Sequence, residues 1–139
     1  MLNASVATRA IVRLPLLLSA CGLIGCARAD LASERVTAAN IQRVSLGMSE
    51  ADVVRALGVP VRSVPEPYYG PDATLLEYSR PVRVAKSYPM VWVHLRSGVV
   101  TEVYVKRYGF FGFDDEGVYS LSRDNPRPDP AKLRTLFVR

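Results

Sequence analysis

"VTAANIQRVSLGMSEADVVRALGVP", residues 36–60, carries the same set of helix signals twice. Thr37 is an N-cap residue, with Val36 before it and Ile41 following at the position of a hydrophobic staple. Val44 continues the apolar face, and Gly47 can end the helix in a left-handed conformation. Ser49 opens a second helix, Asp52 falls near the positive end of its dipole, and Met48 and Val53 repeat the staple. Val53, Ala56 and Leu57 form the buried stripe, Gly58 closes the helix and Pro60 prevents its continuation. The stretch predicts a helical hairpin with a very short connection.

After a Pro/Gly/Tyr-rich loop, "VPEPYYGPDA", the apolar period changes from helical to two. A first strand is predicted over residues 74–79. Residues 90–96 alternate, with Val91, Val93 and Leu95 on one face and Trp92, His94 and Arg96 on the other. Ser97-Gly98 suits a two-residue hairpin turn. Residues 99–107 then form the return strand, with Thr101, Val103 and Val105 inward and Glu102, Tyr104 and Lys106 outward. The expected fold class is α+β: two N-terminal helices packed on a three-stranded antiparallel sheet (ααβββ), with a C-terminal extension.

The whole chain has 139 residues and a formal charge of +5, from 18 basic and 13 acidic side chains. That is one domain with a modest core and a mild basic excess. It lacks the dense Lys/Arg stripes of a nucleic-acid binder, so no nucleic-acid partner is expected. Both cysteines lie within the first 26 residues, which excludes a disulfide or Cys-based metal site in the body.

Arg9 and Arg13 precede an apolar run from Leu14 to Gly25, too short for the ~20 residues of a spanning helix and right for a signal peptide. Leu18-Ser19-Ala20-Cys21 resembles the bacterial lipobox, and Leu23-Ile24-Gly25-Cys26 fits it less well because bulky Ile24 crowds the site. Cys21 is therefore the expected lipid attachment point, with Cys26 as the alternative. Ordinary cleavage downstream, after Ala27 or Ala29, would discard both cysteines. A lipobox implies several acyl chains and durable anchoring. Neither cysteine is followed by the Asp that retains such proteins in the inner membrane, so the implied location is the periplasmic face of the outer membrane. The expected organisation is a signal peptide over residues 1–20, a lipidated tether over 21–35, a folded domain over 36–107 and a partly disordered extension over 108–139.

Gly47-Met48-Ser49, then Val53, Leu57, Gly58 and Pro60, resembles the G-M-[ST]…V…L-G-x-P run of the BamE/SmpA/OmlA family of small outer-membrane lipoproteins. Leu76-Glu77-Tyr78 stands where that family often has W-x-Y. The resemblance covers about residues 36–107. It implies a non-catalytic accessory of β-barrel assembly or envelope integrity, touching assembly subunits and anionic phospholipid. The family's Tyr-Arg-Pro-Asp segment has no counterpart here: "ADLASER", residues 29–35, stands in its place. The helix-pair-on-sheet domain also resembles one repeat of β-lactamase inhibitory proteins, which implies a periplasmic inhibitor or ligand-binding module instead.

No catalytic residue, metal site or cofactor is expected. His94 is the single histidine, with no Ser or Cys constellation identifiable beside it, and reads as a packing or surface group. Asp114-Asp115-Glu116 lacks the ligand spacing of a calcium loop and reads as a solvated turn before Gly117. Arg107, Tyr108, Phe110 and Phe111 are the candidate contact surface for lipid or partner, or else fold back onto the sheet. Leu133, Leu136 and Phe137 sit at helical spacing in the tail. They offer either a short amphipathic helix or a frayed basic terminus.

Overall fold

A computed structural model describes residues 31–80, 87–109 and 112–138. Helix α1 spans Ala38–Ile41 and α2 spans Glu50–Leu57. Strands follow at Arg62–Pro65 (β1), Ala73–Glu77 (β2), Ser87–Arg96 (β3), Val99–Gly109 (β4) and Gly112–Leu121 (β5), with a single 3-10 turn at Pro67–Tyr69 between β1 and β2. Helix α3, Pro130–Phe137, comes last.

Both expected caps form. Thr37 Oγ1 accepts from the Asn40 N–H, and Ser49 Oγ accepts from the Asp52 N–H, each at 3.2 Å. Helix α1 is only one turn long because the next backbone bonds reach back three residues, Arg43 to Asn40 and Val44 to Ile41. That tightening still delivers Ile41 and Val44 to the core. Gly47 and Gly58 hold positive φ of +81° and +86°.

The strands form one antiparallel sheet in the order β1-β2-β3-β4-β5. The expected three-stranded ααβββ arrangement is thereby corrected: the sheet has five strands, and a third helix closes the fold. Strand β1 escaped the periodicity reading because it is a short edge strand with little burial, held by a two-pronged Arg62–Glu77 bond at 2.9 and 3.0 Å. Strand β5 is the other edge and contains Asp114-Asp115-Glu116, which are strand residues and not the expected turn. Helix α3 is too short to stand alone. It is capped by Asp129, opened by Pro130 and held by fully buried Leu133 and Leu136.

A second correction concerns β4. The β3–β4 register shifts at His94/Leu95, so that His94 pairs with Glu102 and Leu95 with Val100. Thr101 is the extra residue of this bulge and points to solvent, while Val100 takes the buried place expected for Thr101. The hairpin turn itself is as read, with Ser97 at φ 51° and Gly98 at φ 73°.

All three helices lie on one face of the sheet. Their Ile41, Val53, Leu57, Leu133 and Leu136 join Leu76, Val91, Val93, Val103 and Val105 of the strands in one core. The folded body begins ahead of the expected domain boundary: Leu31 is buried and bridges Ser79, and Ser33 Oγ donates to the Leu57 carbonyl at 2.6 Å.

Tyr78 is fully buried, and its hydroxyl has no hydrogen-bond partner among the described residues. Burial, reinforced by the Glu50 charge, pushes its phenol well above the ordinary 10.0. Once the pH passes the ordinary value, the unfolded chain ionises Tyr78 while the folded chain keeps it neutral, so stability falls as pH rises. Buried Tyr119 acts with the same sign. Tyr78→Phe should therefore leave neutral-pH stability equal or raised by about 1 kcal/mol. It should also flatten the alkaline decline in urea melts, leaving the Tyr119 contribution; an unchanged slope would show that Tyr78 is not the titrating group.

Candidate interaction face

Among the described residues, the helices cover one face of the sheet and no helix lies on the other. Because side chains alternate along each strand, the residues between the core positions line up across this second face. Glu77, Trp92, Tyr104 and Ser120 are successive cross-strand partners in one row, and Leu75, His94 and Glu102 in the next. The Trp92 and Tyr104 rings pack tilted, with centroids 5.7 Å apart.

The loop between β1 and β2 supplies a wall at one end. Its 3-10 turn brings the Tyr69 ring edge-on to His94 at 5.9 Å. The Arg96 guanidinium donates to the Tyr69 carbonyl and fixes that turn on the sheet. Glu66 Oε2 lies 2.8 Å from His94 Nδ1. A carboxylate accepts, so Nδ1 carries the proton, and in the neutral ring Nε2 is left as an acceptor. Beside the loop, the Ser97 hydroxyl donates to Asp72 and holds its carboxyl below the usual carboxylate range. Tyr69, Leu75, Trp92, His94, Glu102 and Tyr104 enclose an open cleft of about 360 Å³. A smaller one of about 200 Å³ adjoins it and shares Tyr69, His94 and Glu102.

The residues singled out in the sequence occupy other places. Arg107 donates to Ser87 Oγ and to the carbonyls of Leu136 and Val138, so its cation holds the C-terminal end of α3. Tyr108 is 38% exposed, with its ring 5.5 Å from that of Tyr88. Phe110, Phe111, Cys21 and Cys26 lie outside the described residues. Gly47, Met48, Ser49, Val53, Leu57, Gly58 and Pro60 are cap, turn and core positions on the helical face. Ser49 also donates to Asp52 at 2.7 Å, and this bond, with Arg55 beside it, holds the Asp52 carboxyl low.

The described chain enters the sheet at a defined place. Leu31 pairs with Ser79, whose hydroxyl donates to the Pro89 carbonyl at 2.8 Å, and Pro89 pairs with Arg107. Chain entry, Arg107 and Tyr108 therefore share one end of the sheet. Among the described residues, no helix is long and apolar enough to cross a membrane.

The alternation of β3 made Trp92 and His94 visible as outward residues, but their neighbours Glu66 and Tyr69 come from a Pro-rich loop with no periodic signal. Comparison with family models, curated proteins and solved structures finds no match to this chain.

Proposed function

We propose that this protein is a non-catalytic interaction scaffold, lipid-anchored at the periplasmic face of the outer membrane. Its role would lie in β-barrel assembly or envelope integrity, as the BamE-like motif suggests. The observation that carries the scaffold reading is the aromatic sheet face that no described helix covers. It presents Trp92, Tyr104, Leu75 and Tyr69 as half-buried or exposed apolar surface, where an aromatic-rich patch suits a protein partner. His94 is held by Glu66, and among the described residues no Ser, Thr or Cys side chain bonds its ring.

The anchor reading rests on the lipobox, with Cys21 preferred over Cys26. The shared end of the sheet supports it, because a lipid tether entering at Leu31 would bring Tyr108 near anionic headgroups. Mass spectrometry of the mature N-terminus should find acylated Cys21. Acylated Cys26 would move the anchor, and an unmodified N-terminus would remove it.

Affinity purification of the full-length lipidated protein, followed by mass spectrometry, tests the role. Recovery of barrel-assembly subunits supports the scaffold. Recovery of a single soluble hydrolase would replace it with the inhibitor reading, for which the same aromatic face would be the docking surface.

A further inference from the structure

We propose that the cleft on the aromatic sheet face is a cation site that receives an arginine side chain of a partner protein. The proposal rests on the scaffold reading and specifies the chemistry of its contact. Three observations carry it. The cleft walls are aromatic: Tyr69, Trp92 and Tyr104 surround it, with Leu75 as an aliphatic floor. Ring faces attract cations, and a planar guanidinium stacks on them better than an ammonium does.

Second, the cleft holds a carboxylate with no cationic partner among the described residues, Glu102. Glu66 lines only the adjoining smaller cleft, together with Arg96. Glu66 is occupied by His94 at 2.8 Å. Glu102 accepts only the neutral Ser120 hydroxyl at 3.2 Å, and no ion pair among the described residues includes it. The nearby arginines are turned to other groups, Arg96 to the Tyr69 carbonyl and Arg62 to Glu77.

Third, the acceptor matches a guanidinium fork. Glu102 is a strand neighbour of the rings on the same face, and the two oxygens of a carboxylate accept two parallel N–H bonds from one guanidinium. An anionic ligand would meet the Glu102 carboxylate, and an apolar segment would leave Glu102 covered without a partner.

Trp92 is the single tryptophan of the chain, so its emission reports directly on the cleft. The full-length protein is titrated with N-acetylarginine methylamide and, in parallel, with the citrulline analogue, which has nearly the same shape without the charge. A saturable change with arginine and none with citrulline is expected. Glu102→Gln should weaken the arginine response about fivefold while leaving thermal unfolding in place.

Equal responses to both probes, or no response, would overturn the proposal, and this comparison holds even if the variant fails to fold. A change in Trp92 emission on concentrating the protein alone would assign the cleft to a second copy and overturn the partner assignment. Recovery of assembly subunits without an arginine response would leave the scaffold standing and remove only the cation site. An arginine response without those subunits would do the reverse.

Discussion

Leu133→Ala should cost the folded protein about 3 kcal/mol, the middle of the range for emptying a fully buried leucine site. Leu133 is the centre of the face that α3 lays on the core, with Leu136 one turn on and β5's Tyr119 and Leu121 in the same cluster. The helix has only eight residues, so it has no stability of its own to retain when its anchor is shortened. Its ends are also held, by the Asp129 cap at one end and Arg107 at the other, so the helix cannot slide to refill the gap. Urea denaturation followed by circular dichroism would measure the loss. A change below about 1 kcal/mol would mean that α3 is a surface appendage and that the core ends with the sheet.

Gly58→Val should have an effect of similar size by a different route. Gly58 stands at φ +86°, ψ −174°, a conformation that side chains rarely adopt. A β-carbon there would lie 2.6 Å from Ser33 Oγ and 3.1 Å from Ser33 Cβ. Ser33 cannot yield freely, because its hydroxyl donates to the Leu57 carbonyl and accepts from the Arg35 N–H. Strain and overlap together come to about 3 kcal/mol, a fall in Tm of roughly 10–20 °C for a domain of this size. Gly47 is the internal control. It too has positive φ, at +81°, but nothing lies within 4 Å of its would-be β-carbon. Gly47→Ala should therefore lose only the backbone term of ~1 kcal/mol. Equal losses at the two positions would show that the Ser33 contact does not matter.

Which parts of this fold could be read in advance follows from where the information lies. Caps are local: Thr37, Ser49 and the Ser97-Gly98 turn each announce themselves within a few residues, and each forms. The inward faces of β3 and of β4 beyond its bulge follow from alternation alone. Edge strands carry weaker signals, because burial on one side of a peripheral strand imposes little pattern. Strands β1 and β5 were missed for that reason. The bulge at Thr101 breaks period two in one place, and the shift of a single residue exchanges Val100 for Thr101 in the core. The cleft was legible only in part. Trp92, His94, Glu102 and Tyr104 could be assigned outward, but the pairing of Glu66 with His94 spans 28 positions and depends on how an aperiodic loop returns.

Each strand of the sheet pairs with its neighbour in sequence, so the sheet can assemble as the chain appears. The core cannot be completed in that order. Gln42 sits 3.5 Å from the Pro130 carbonyl, 88 positions further on, and α1 packs beside α3. The core is sealed only when residues 130–137 have reached α1 and the sheet. Without them Ile41, Val44 and the inner face of β5 lack part of their cover. Helix α3 thus acts as a clasp, joining the helical layer to the β5 edge of the sheet.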